Sequence, residues 1–267
     1  MGVELARQFR RRRTTFGLAG MAIVPVLLAL AFYFSGDDGG GPDGDPTGLF
    51  SLARASGLNF TIATVAAVSP FLLLSVVALF TGDTVSSEAT WSSLRYLLTR
   101  PVSRARLLGR KLIVGMVLSV LATLTVTASG LASGTVAFGW AGLVTPFGNL
   151  GTGEALLRLL MILAYVLWSS AWVACLAFAL STVTDEPVGA VAGTIVLVIV
   201  VQILDNITAI GAIRDYLPVH ESGAWLGLLA DPPRFDDLVR GMWLQVPYIL
   251  ISLGLAWWHF SRKDILS

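Results

Sequence analysis

Charge is the scarcest thing in this 267-residue chain. Only 13% of the residues are Asp, Glu, Lys or Arg, against about 25% in a typical soluble domain. A globule of this size needs more charge than that to cover its surface in water, so an ordinary cytosolic enzyme is excluded. A disordered chain is excluded as well, because 55% of the residues are hydrophobic and the mean hydropathy is +0.77. Cysteine occurs once and histidine twice. The lone Cys175 rules out an internal disulfide and, set in an apolar run, reads as a small buried hydrophobe. No G-x-x-x-x-G-K-[ST] phosphate loop and no His-cluster or paired-Glu metal motif occurs within the apolar runs. No catalytic, cofactor-binding or metal-binding residue is therefore assigned, and no nucleic-acid partner is expected.

What the chain does have is long apolar runs. A bilayer core about 30 Å thick takes about 20 apolar residues per helix. Six runs meet that length, at about 16–34, 58–80, 112–138, 155–181, 188–207 and 242–260. The fold class expected is all-α, a polytopic membrane protein with a single transmembrane domain over 1–267. No remaining stretch is large enough for a separate soluble domain.

Basic residues set the orientation, since cytoplasmic flanks collect Lys and Arg. Thirteen of the 18 basic residues fall before the first run, between the second and third, or after the last. Both termini are thus expected in the cytoplasm. The stretch 1–15 reads as an amphipathic helix, with Val3, Leu5 and Phe9 apolar and the arginines meeting anionic headgroups. Arg12-Arg13 before an apolar run resembles a twin-arginine export signal. The run is too long for a secretory core and no A-x-A site follows it, so a retained span is expected. On the other side, the aspartates of 35–48 lack the twelfth-position Glu of a calcium loop and read as a solvated hairpin. Trp140 and Phe147 fit an aromatic belt. The long segment 208–241 reads as an extracellular loop with a short helix around 224–230.

The segment 81–111 is too polar to span. Trp91, Leu94 and Leu98 recur at i, i+3 and i+7 and share one helix face, and Pro101 disfavours helix at Arg100. The result is a cytoplasmic helix tied at both ends to spans two and three. It is either a plain interfacial helix or one placed to receive a push from a soluble partner.

Here a resemblance emerges. Glu88, Leu94-Arg95-Tyr96-Leu97-Leu98, Arg100-Pro101-Val102-Ser103-Arg104 and Leu107-Leu108-Gly109-Arg110-Lys111 are similar to the run between spans two and three of the type-2 ABC exporter permeases. Phe260-Ser261-Arg262-Lys263-Asp264-Ile265 resembles that family's C-terminal motif, and Tyr216-Leu217-Pro218 its loop between spans five and six. Ala89-Thr90-Trp91-Ser92-Ser93 and Asp185-Glu186 depart from the family's usual residues. The resemblance implies a permease subunit that pairs with a second permease, as homodimer or heterodimer, in a bacterial cytoplasmic membrane. It implies two copies of a separate ABC ATPase, which carry the ATP and Mg. It makes 81–111 the coupling segment, with Glu88, Trp91, Leu94, Arg95, Leu98, Arg100, Pro101 and Arg104 as the ATPase-coupling residues.

Polar residues near the spans supply the other candidates. Thr61, Thr64, Ser69 and Ser75 in span two either line a pathway or bond their own helix backbone. Glu154 and Arg158, spaced i, i+4 at the start of span four, suit an ion pair at the positive helix end. With Asp205 and Asn206 at the end of span five, they are candidates for an outer gate, against plain interfacial solvation. Gly130-x-x-x-Gly134 and Gly189-x-x-x-Gly193 fit close helix packing, within one subunit or at a dimer face. Pro25, Pro70 and Pro247 can kink their spans or leave carbonyls free.

The function expected is export of a lipophilic or amphiphilic cargo (drug, lipid or peptide), driven by the ATPase. The alternatives are an exporter-like membrane scaffold or sensor, and a secondary transporter. A rhomboid-type protease is disfavoured, because His220 and His259 are expected at opposite membrane faces. A secondary transporter normally shows inverted repeats and coupling charges at mid-membrane, and neither is evident.

Overall fold

The computed structural model describes residues 8, 11–35, 48–90, 104–145, 148–184 and 186–262. Helix α1 is Arg12–Phe34. The second span begins as α2 (Gly57–Val68), passes through a π-helical segment (Ser69–Leu73) and continues as α3 (Leu74–Thr90). Helix α4 is Arg104–Phe138, followed by a small antiparallel hairpin of β1 (Leu143–Thr145) and β2 (Gly148–Leu150). Helices α5 (Thr152–Val183) and α6 (Pro187–Asn206) come next. Two 3-10 helices, Thr208–Tyr216 and Ala224–Leu229, lead to α7 (Asp236–Arg262). Among the described residues, six helical stretches are long and apolar enough to cross a membrane. The chain is an all-α polytopic membrane protein with one short hairpin.

Helices are what an apolar solvent demands, because each satisfies its own backbone donors and acceptors. Two of them overshoot the bilayer. At 1.5 Å per residue, the 35 residues of α4 and the 32 of α5 rise about 52 and about 48 Å, well beyond a hydrocarbon layer of about 30 Å. Their ends therefore project past the apolar layer and carry polar contacts.

Helix α5 is the most buried span, while α1, α6 and α7 are the most exposed. The main core joins Met21, Ile62, Val77, Leu118 and Ile162 to Trp225 from the second 3-10 helix. A smaller cluster of Val85, Leu108, Phe178, Ala256 and Phe260 closes the end that gathers the basic flanks, called the basic end below. The opposite end, carrying the hairpin and both 3-10 helices, is the loop end.

Small residues set the closest approaches. A Cβ on Gly134 would lie 2.7 Å from Phe60 Cδ1 and 3.0 Å from the Gly57 carbonyl oxygen, and one on Gly57 would lie 2.8 Å from the Thr135 nitrogen. Gly130-x-x-x-Gly134 thus packs α4 against α2 within the subunit. A Cβ on Gly193 would have ordinary room, 3.6 Å from Leu180 Cδ1; the tight approach to α6 is at Gly82, where a Cβ would lie 3.1 Å from Val191 Cγ2.

Candidate functional site

At the basic end, four helices meet around buried polar groups. Asp83, midway along α3, is 6% exposed. Its two carboxylate oxygens accept from Arg11 Nη1 at 2.6 Å and Arg13 Nη1 at 2.8 Å, which ties α1 to α3. Lys111, 3% exposed, crosses from α4 and donates its Nζ to the Thr84 carbonyl at 2.7 Å. Ser181 on α5 accepts from the Val85 and Ser86 backbone N–H groups at 3.1 and 3.0 Å. Carboxylate, ammonium and guanidinium groups are costly to bury alone and stay only where paired or hydrogen-bonded.

This node frames the segment expected to couple. Thr84 and Lys111 stand near its two ends and are bonded to each other. Glu88 lies on the last turns of α3 and Arg104 opens α4. Trp91, Leu94, Arg95, Leu98, Arg100 and Pro101 lie outside the described residues, as does most of the N-terminal stretch 1–15.

At the loop end, the outer-gate candidates fall into separate units. Arg158 is 2% exposed. It donates through Nε and Nη2 to Glu154 Oε1 at 3.1 and 2.5 Å, and through Nη1 to the Leu228 and Ala230 carbonyls at 2.9 and 2.7 Å. It thereby satisfies carbonyls at the end of the second 3-10 helix that have no partner along their own chain direction. Asp205 Oδ1 pairs with His220 Nδ1 at 2.7 Å, and Asp215 Oδ1 stands 3.5 Å from His220 Nε2. Asn206 turns back on its own helix, donating to the Gln202 carbonyl at 2.8 Å.

Several anchors were not anticipated from the sequence. The Tyr165 hydroxyl donates to the Glu221 carbonyl at 2.5 Å. The Asn59 side-chain amide pairs with Val144, accepting from its N–H at 2.9 Å and donating to its carbonyl at 2.6 Å. Arg54 donates to the Phe32 carbonyl. Buried side-chain amides and hydroxyls within reach of a loop were the available signal, but nothing local names the partner.

Span two holds the pathway candidates. Thr61 donates to the Gly57 carbonyl at 2.7 Å and Ser75 to the Phe71 carbonyl at 2.8 Å, each four residues back. Thr64 is buried with no hydrogen-bond partner for its hydroxyl. Ser69 opens the π-helical segment. Pro70 has no N–H to continue the α ladder, and the helix widens over Ser69–Leu73. There Ser69 lines a cavity of about 210 Å³ bounded by spans two, four and five, by Leu49 and Phe50, and by the second 3-10 helix with the loop before it.

The match to known families decides the class: the model of the ABC-2 family transporter protein covers residues 4–201. The chain belongs to the ABC-2 transporter family. No curated protein matches the sequence. As an ABC-2 protein it is an integral membrane permease subunit of an ABC transporter, and it partners an ABC ATPase. The matched stretch contains the basic-end node, the Glu154–Arg158 pair and the cavity-lining part of span two. It ends within α6, before the loop that Arg158, Tyr165 and Asp205 hold.

Proposed function

We propose that this subunit couples ATP hydrolysis on the partner ATPase to export of a lipophilic or amphiphilic cargo, through the segment between spans two and three. In this reading both termini and the basic end face the cytoplasm, and two permease subunits enclose the pathway above two ATPase subunits. The observation that carries it is the Lys111–Thr84 bond. A bond between α3 and α4 on either side of this segment resists displacement of one helix without the other. Force on 91–103 moves α3 and α4 as a pair, and Asp83 passes the movement to α1 through Arg11 and Arg13. Glu88, Arg95, Arg100 and Arg104 supply the charged contacts to the ATPase, while Trp91, Leu94, Leu98 and Pro101 shape and seat the helix. At the far end, Glu154–Arg158 and Asp205–His220 hold the loop that closes the outer side.

The test is copurification and reconstitution with the ATPase in sealed vesicles. Wild type is expected to stimulate ATP hydrolysis and move cargo out of the nucleotide-facing compartment. Glu88→Arg is expected to lose both while still inserting as a folded subunit. Full coupling in Glu88→Arg would remove the coupling role, and a complex that binds ATPase without moving cargo would favour a scaffold.

A further inference from the structure

The partly open cavity beside the π-helical segment has walls whose residues describe an occupant. Its volume is about 210 Å³. A dry apolar cavity of about 150 Å³ is enough to hold benzene, whereas sites for drug-sized ligands run from about 300 Å³ upward. The space therefore takes a molecule of some eight to ten non-hydrogen atoms. A drug, a peptide or a whole lipid does not fit.

The walls set the chemistry. None of the lining residues is charged, and Trp172 and Trp225, both nearly fully buried, supply broad apolar faces. An ionic ligand would lose its hydration with no counter-charge to replace it. Polar groups are present at a few points only. Ser69 and Ser169 line the space from spans two and four, Gln202 from α6 and Ser222 from the loop before the second 3-10 helix. That is the pattern of a small-molecule site, mostly apolar with a few placed hydrogen-bonding groups.

Two spans are bridged along its lining. Gln202 Nε2 donates to the Pro70 carbonyl at 2.6 Å, bridging α6 and the π-helical segment. A π-turn within a transmembrane helix widens the backbone locally and recurs at functional positions. Here it places Ser69 and the Gln202 contact at the same rim.

We infer that this cavity is a binding site for a small uncharged amphiphile, one short alkyl or aryl tail with a single hydroxyl or amide head. The tail lies between Trp172 and Trp225, and the head bonds at the Ser69–Gln202 rim. The site does not depend on the export reading, because binding there needs neither nucleotide nor ATPase.

The experiment is photolabelling of the full-length permease in phosphatidylcholine vesicles with an eight-carbon alcohol that carries a diazirine, followed by peptide mapping. Labelling at 69–74, 166–172 and 222–226 is expected to saturate and to be displaced by unlabelled octan-1-ol. Ser169→Phe, which fills the cavity, is expected to reduce that labelling at least five-fold, while Leu250→Phe on an exposed face of α7 leaves it unchanged. Gln202→Leu keeps the space and removes one hydrogen-bonding partner, so octan-1-ol should compete about five-fold more weakly. Labelling that grows linearly with probe, resists competition, or matches that of exposed α7 residues would overturn the site. So would wild-type competition in Gln202→Leu together with wild-type labelling in Ser169→Phe. Loss of labelling leaves the coupling reading untouched, and loss of coupling leaves this site untouched.

Discussion

Arg11 Nη1 lies 2.6 Å from Asp83 Oδ2, joining residues 72 positions apart at the point where the first and second spans meet. The carboxylate is almost fully buried, while the guanidinium keeps part of its surface in solvent. Breaking such a pair from the carboxylate side releases two arginines that remain partly hydrated. The cost is therefore less than the roughly 3–5 kcal/mol of a fully buried pair. Asp83→Ala should destabilise the purified permease by about 2 kcal/mol, read as a lower thermal midpoint in detergent. Asp83→Ala with Arg11→Ala should lose less than the two single losses added together, since both act on one interaction.

Lys111→Met keeps the length and apolar stem of the side chain and removes the ammonium that reaches the Thr84 carbonyl. The expected result is a folded subunit that still binds the ATPase but transports less cargo per ATP hydrolysed. Simultaneous measurement of hydrolysis and cargo flux checks it. An unchanged ratio would mean that the bond between the ends of the segment does not transmit force.

Arg158→Leu strands the Leu228 and Ala230 carbonyls in a buried position and frees Glu154. Four lost hydrogen bonds from the guanidinium, two to Glu154 and two to the carbonyls it leaves unsatisfied, predict about 3 kcal/mol of destabilisation. Hydrogen exchange should rise across 224–230 before it rises in α5. Arg158→Lys should recover only part of this, because one ammonium cannot reproduce the guanidinium fork.

Gly134→Leu forces a side chain into Phe60 and the Gly57 carbonyl, so it should cost at least about 2 kcal/mol or prevent folding. Gly193→Ala meets only ordinary contact and gains helix propensity, so its thermal midpoint should stay level or rise slightly. The pair of variants separates a packing glycine from a permissive one by a single unfolding measurement.

Asp205→Ala removes the partner of His220 Nδ1 and should loosen the attachment of α6 to the loop. If the loop closes the outer side, cargo flux and cargo-stimulated ATP hydrolysis should both change, with ATPase binding intact. Unaltered values for both would leave Asp205 as a solvated surface residue.

The six spans were legible because an apolar run of span length is a local property. It needs no knowledge of neighbours, only the thickness of the solvent it must cross. The segment 81–111 was set apart by its polarity and by the resemblance it carries, and its central residues lie outside the described region. Asp83 was passed over as one acidic residue among others in a polar loop. Its partners Arg11 and Arg13 lie about seventy positions away, and no local pattern joins them. The hairpin was not anticipated in the stretch that carries Trp140, since strands of three residues are too short to show alternation.

The sequence by itself therefore determined a membrane-spanning all-α chain, its span count, the uneven placement of its basic residues and the absence of a phosphate loop. Each of these follows from composition or from residues close together in the chain. Only the tertiary structure decided which polar groups are partnered. It alone brought Lys111 to Thr84, Arg158 to the 228–230 carbonyls, and Gln202 to Pro70 at the rim of a cavity. The physical reason is that a buried donor or charge must find a partner wherever packing supplies one, and packing is set by helix faces that meet only after the chain has folded.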